Sequence, residues 1–221
     1  MNKRDFIKKM TGVTLGVAAL AALPASAASA ASFKSFTPSK TNHVARSKSA
    51  FPNVPLVTHE GKVVRFYDDL IKDKTVMINF MYARCGDICP GMTANLKLVQ
   101  KEFGDRVGRD IFMYSISLEP EHDTPQVLKA YAELFRVKPG WTFLTGKKSD
   151  IEALRRHLGF SLSDPLLDKD KTQHIGVVKF GIESLERWGM SPALGDPKYI
   201  AEYLRWMEPN GSRPRLSEMM G

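Results

Sequence analysis

TVMINFMYARCGDICP, residues 75–90, is the stretch from which the rest of the chain can be read. Its first eight residues, Thr75 to Tyr82, are almost continuously apolar, the pattern of a strand buried on both faces. Its last, Pro90, opens a helical pattern that runs to Phe103 and carries Met92, Leu96, Val99 and Phe103 on one face. Proline suits a first helical turn because the N–H it lacks had no partner there. Between strand and helix lie Cys85 and Cys89, the only two cysteines of the 221-residue chain.

The same alternation continues outward. Upstream, Leu56–Thr58 and Val63–Phe66 flank His59-Glu60-Gly61-Lys62, a hairpin pattern. Downstream, Asp110–Leu118 reads as a second apolar strand. Thr124 reads as an N-cap with Pro125 behind it, opening a helix through Leu128, Tyr131 and Phe135. Trp141–Leu144 is a short strand, and Ser149 is expected to cap a helix through His157. Ile175–Phe180 is a strand that Leu185–Trp188 could join, and Pro197–Met207 is a final helix. Helices interleaved with buried strands predict an α/β fold, a central mixed sheet with helices on both faces and an N-terminal β-hairpin. Chemistry in such sheets gathers beyond the carboxyl ends of the strands, which is where the two cysteines fall.

The ends of the chain differ from this body. Residues 1–30 carry a basic start, an apolar run Thr11–Leu23 and small-residue sites at Ala25-Ser26-Ala27 and Ala28-Ser29-Ala30, the order of a cleavable export signal. About a dozen apolar residues fall short of the roughly 20 a spanning helix needs, so the membrane is not expected to be spanned after cleavage. Asn2-Lys3-Arg4-Asp5-Phe6-Ile7-Lys8 resembles a twin-arginine signal with Lys for the first Arg, and a Sec signal tolerates the same residues. Either route predicts a periplasmic or otherwise exported protein. Residues 31–50 are Ser/Lys/Ala-rich and read as a flexible arm, 51–208 as one domain, and 209–221 as a tail. Met219 and Met220 in that tail could be soft ligands or simply a chain end. The net charge is +8, of which the first nine residues supply three. The remaining Lys and Arg alternate with acids, a solvated surface rather than a nucleic-acid footprint. Nothing in the sequence demands a dimer, so a monomer is expected.

Two cysteines four apart would close too small a loop to act as a structural staple. A helix N-terminus favours thiolate through its free N–H groups and dipole, and Arg84 is expected to add a fixed positive charge. Such a pair can hold one soft metal ion or oxidise to a disulfide. The bland alternative is two inert buried cysteines. Zinc would want four ligands and no second Cys/His cluster is present. Copper(I) accepts two or three soft ligands. Of the five histidines, His43 lies in the arm, His59 in a turn, His122 in a polar loop and His157 near a helix end. His174 directly precedes a buried strand and is the best placed, though taken alone a histidine there is more often structural than a ligand.

The chain resembles the Sco/SenC family over most of residues 50–208. The resemblance is carried by Cys85-x-x-x-Cys89-Pro90 and Ser117-Leu118-Glu119-Pro120-Glu121-His122-Asp123-Thr124-Pro125. It continues in Leu128, Tyr131, Trp141-Thr142-Phe143-Leu144-Thr145-Gly146 and His174. It implies a thioredoxin-like fold with an added hairpin, and copper, as Cu(I) or Cu(II), bound by Cys85, Cys89 and His174. It implies a client among respiratory copper proteins, notably the CuA centre of cytochrome oxidase, to which copper is delivered or whose cysteines are reduced. Many members keep a membrane anchor where this chain reads as cleaved. Glu119 stands where the family usually has Asp, and no acid adjoins His174, so a carboxylate partner would come from farther off, for example Asp168 or Asp170. Two enzyme readings use the same pair: a thiol–disulfide oxidoreductase with one sulfur attacking and the other resolving, and a peroxiredoxin-like peroxidase passing through a sulfenic acid. Cys85, preceding the helix, is expected to be the more exposed sulfur.

Overall fold

The computed structural model describes residues 51–169 and 176–211. The segments read as export signal and arm, Asp170, His174 and Met219-Met220 lie outside them. The elements run β1 (Pro55–Thr58), β2 (Val63–Arg65), a π-helical turn (Phe66–Ile71), β3 (Thr75–Met81), α1 (Ile88–Phe103), β4 (Ile111–Ser117), α2 (Pro125–Leu134), β5 (Trp141–Gly146), α3 (Lys148–His157), a short α4 (Pro165–Lys169), β6 (Val177–Ile182), β7 (Arg187–Pro192) and α5 (Pro197–Met207). The strands form one seven-stranded mixed sheet in the order β2-β1-β5-β4-β3-β6-β7. β3, β4 and β5 are parallel, while β1 and β6 are antiparallel to their neighbours β5 and β3.

This topology sets the site. The carboxyl ends of β3 and β4, at Met81 and Ser117, lie side by side. Because β6 runs the other way, its start at Val177 falls at that same end. The sheet's two faces bury different sets. Met77, Met113, Trp141 and Phe143 face α1, α2 and α5 through Met92, Leu96, Leu128, Ile200 and Leu204. Val76, Ile78, Phe80, Tyr114 and Leu144 face α3, the hairpin and the π-helical turn. Alternate strand residues thus serve alternate faces, and the continuous apolar run of β3 is the signature of a strand covered on both.

Helix boundaries follow local chemistry. The Thr124 hydroxyl accepts the Val127 N–H at 3.3 Å, with Pro125 at the first helical position of α2. Asp196 and Pro197 start α5 in the same way, with the Asp196 carboxylate accepting the Lys198 N–H. Gly104 closes α1 at φ +55°, a conformation that glycine adopts without steric cost. Three expectations shift. α1 starts at Ile88 rather than Pro90, so Cys89 is inside its first turn. α3 is capped at Lys147 without a side-chain bond, and Ser149 lies inside the helix, because the chain turns helical directly after β5. The last strand is Arg187–Pro192, not Leu185–Trp188, because Glu183–Leu185 forms a tight 3-10 turn and Glu186 takes a left-handed φ of 50°. Among the described residues no helix is long and apolar enough to cross a membrane.

Candidate metal centre

Cys85 sits in the loop after β3, where its N–H bonds the Tyr82 carbonyl at 3.2 Å. Cys89 is the second residue of α1. Neither is in a disulfide. Cys89 is fully buried and Cys85 is 6% exposed, so the first cysteine is the more accessible one.

The two sulfurs have opposite electrostatics. For Cys85, burial opposes ionisation more strongly than any single group favours it. Together, the backbone N–H groups of Cys89 and Asp87, the Cys89 thiol and the Tyr82 hydroxyl outweigh it and bring the thiol below its ordinary value. Those N–H groups belong to the open first turn of α1, which has no intrahelical acceptor for them. Cys89 is dominated by burial, and its thiol is pushed up to about 12. Arg84 does not play the expected part. Its guanidinium turns away to the Glu119 carboxylate, with Nε at 2.5 Å from Oε2. The groups that lower Cys85 are uncharged donors.

Behind the loop lies a set of polar side chains whose roles sequence reasoning missed. Asp123, 1% exposed, accepts the Ala83 N–H at 3.3 and 3.2 Å on its two oxygens and the Ser117 hydroxyl at 2.6 Å. Burial raises its carboxyl above the ordinary range. Ser117 Oγ in turn accepts the Glu119 N–H at 2.9 Å. Thr93 and Tyr131 join α1 to α2 through their hydroxyls at 2.9 Å. The available signals were polar residues at core-facing positions, namely Thr93 one position from Met92 on α1 and an aspartate directly before a helix cap.

His174 lies outside the described residues. Gly176, two residues on, is described, and packs on the first turns of α1: a Cβ at that position would stand 2.6 Å from Ile88 Cδ1 and 3.7 Å from Met92 Sδ. The Gly176 carbonyl accepts the Ala193 N–H. Two of the other histidines have structural settings. His59 Nδ1 accepts the Phe143 N–H at 3.1 Å, and His157 packs edge-on against Phe51. Asp168 is not free to orient an imidazole. Its two oxygens take a bidentate bond from Arg155 at 2.6 and 2.5 Å, and it accepts the Leu162 N–H as well. Among the described residues no three His, Cys, Asp or Glu side chains converge on one point. The described donors are therefore two sulfurs, one poised to ionise. That set suits a soft monovalent ion better than a hard cation.

The family model described as SCO1/SenC matches residues 40–177. A SCO1 protein homolog of Bacillus subtilis is 34% identical over 95 residues, covering 42% of this chain and 48% of that protein. The chain spans about half the length of the curated relatives it matches. Among solved structures, a SCO1/SenC family lipoprotein from Bacillus anthracis superposes with a TM-score of 0.60 at 23% identity, over 71% of this chain and 94% of that one. Bradyrhizobium japonicum ScoI with copper bound superposes with a TM-score of 0.56 at 23% identity, over 70% and 96%. At this identity these likenesses establish the fold.

Proposed function

The chain belongs to the SCO1/SenC family, and from that premise we propose that it is an exported copper chaperone whose cargo is held by Cys85, Cys89 and His174. One observation carries the reading: two reduced thiols at one helix N-terminus, the outer one lowered by N–H and O–H donors and the inner one fully buried. The outer sulfur gives up its proton to the incoming ion more readily than an ordinary thiol. The inner one loses its proton when the metal arrives, because a cation compensates the charge that burial alone penalises. His174 supplies the third, nitrogen donor, which also suits Cu(II). The packing of Gly176 against α1, with β6 beginning at the sheet end where β3 finishes, supports that assignment. A relative of the same fold has been solved with copper bound. An accessible site of two or three ligands can release its ion by stepwise exchange, and a respiratory copper centre such as CuA of cytochrome oxidase is the client we infer.

The test is competitive Cu(I) titration of the reduced protein and of His174→Ala. Wild type should take up one Cu(I) per chain, and the variant should bind more weakly by at least tenfold. Absence of tight binding by wild type sinks the chaperone reading. Unchanged affinity in the variant removes only His174.

The same split between the thiols favours a second reading, reduction of a client's disulfide. Cys85 would attack as thiolate and Cys89 would resolve the mixed disulfide. Copper-free reduction of a peptide disulfide, lost in Cys85→Ser, would distinguish it.

A further inference from the structure

Pairing between β3 and β4 ends at Met81 and Ser117, and the Leu118 N–H makes the last bond across, to the Met81 carbonyl at 2.8 Å. Beyond it the β3 chain must leave the sheet and turn to bring Cys85 over the first turn of α1. The Ala83 N–H, two residues past Met81 on the departing chain, is taken by neither strand nor helix. It goes to Asp123, a carboxylate reached across 40 residues of sequence.

Asp123 is itself fixed from several sides. Its own N–H bonds the Glu119 carbonyl at 2.8 Å, its Oδ2 accepts from Ser117, and the next residue caps α2. The carboxylate is therefore tied to β4, to the loop after it and to a helix start. A hydrogen bond to a rigidly held, buried charge is stronger than one between neutral groups. Arg84 is also tied to Glu119 on the same loop, through an exposed guanidinium and a carboxylate side chain that is 9% exposed. The contact to Asp123 is the one that fastens the cysteine loop by its backbone.

We propose that Asp123 is a positioning residue for the dithiol: by anchoring Ala83 it holds Cys85 against the α1 N-terminus, facing Cys89. The anchor acts through the Ala83 backbone, two residues from Cys85. The inference deepens the site described above, but it concerns the two thiols alone and can be tested without copper.

The reaction to measure is exchange with glutathione. Cys85 and Cys89 give up two electrons and two protons to glutathione disulfide. One intramolecular S–S bond forms, the glutathione S–S bond breaks, and two glutathione thiols are released. Pre-organisation raises the effective concentration of one thiol at the other, so losing the anchor makes ring closure less favourable. In metal-free protein at pH 6, Asp123→Ala should lower the equilibrium constant for disulfide formation about tenfold, roughly 30 mV for two electrons. Asp123→Asn keeps an acceptor oxygen at the same place and should return to within about threefold of wild type. Cooperative thermal unfolding identifies folded variants. A folded Asp123→Ala protein with an equilibrium constant within twofold of wild type overturns the proposal. If Asp123→Ala does not fold, Ser117→Ala decides: removing the hydroxyl that orients the carboxylate should lower the constant about threefold, and no change overturns the proposal. Since no copper is present, failure here leaves the chaperone reading standing, and failure of copper binding leaves this one standing.

Discussion

At Cys85 the sign of ionisation is decided by donors that only a folded chain brings together. Two N–H groups from the first turn of α1, the Cys89 thiol and the Tyr82 hydroxyl surround one sulfur. Alkylation by iodoacetamide, followed by mass spectrometry over pH 5–10, should therefore label Cys85 with a midpoint below that of an unperturbed thiol. Cys89 should stay unlabelled across the whole range, because its thiol is held at about 12. Tyr82→Phe should move the Cys85 midpoint upward, since the phenyl ring keeps the packing but donates nothing. Equal labelling of both cysteines would contradict this account. The two cysteines were legible in the sequence, and the helix-terminus argument fits Cys85 but not Cys89, whose thiol burial raises. Arg84 was misread because sequence adjacency says nothing about direction: its side chain reaches Glu119, 35 positions away.

At the level of elements, α3 and α4 show how a buried charge is made tolerable. Arg155, 9% exposed at its side chain, donates to Asp168, to Glu152 and to the Phe160 carbonyl. That closes the segment between the two helices. The Asp168 carboxyl is held at about 2 against 3.8, chiefly by Arg155. A lowered acid means that the native state binds fewer protons than the unfolded state in that window. Its stabilisation is therefore present above pH ~4 and is lost as pH falls through about 2. Asp168→Asn should cost about 2 kcal/mol at neutral pH and flatten the acid limb of the stability curve, read by urea unfolding at several pH values. An unchanged acid limb would rule out the assignment. The Thr124-Pro125 cap and the helix start at Pro197 could be read in advance because such signals act within three or four residues. The Phe66–Ile71 π-helical turn and the true start of α3 could not. Both depend on how Phe66, Leu70, Ile71 and Ile151 fill the space under the sheet.

For the molecule as a whole, the site is a consequence of strand order. Parallel β3 and β4 deliver the cysteine loop and the Asp123 loop to one end, and antiparallel β6 starts there. An ion bridging residues from different elements must stabilise all of them together. With Cu(I) buffered about a thousandfold above its dissociation constant, linkage contributes about 4 kcal/mol. For a domain of this size that corresponds to a rise in Tm of roughly 10 °C. A Cu(I) chelator should reverse the rise, and Cys89→Ser should abolish it. A Tm indifferent to copper would mean that the ion is held on one element or not at all.

What can be read along the chain is whatever local rules govern: a doubly buried strand followed by a helix, the proline-led helix starts, the hairpin turn and a dithiol at a helix N-terminus. These follow from periodicity, backbone constraint and the unpaired N–H groups of a first turn, all acting over a few residues. Tertiary structure decided the rest. It chose which carboxylate reaches Ala83, which acid occupies Arg84, why Asp168 is spent on Arg155, and which of two thiols ionises first. The first three are contests among partners 13 to 40 positions apart, and the last is settled by burial and by donors from Tyr82, Asp87 and Cys89 that converge on one sulfur only once β3 and α1 have packed.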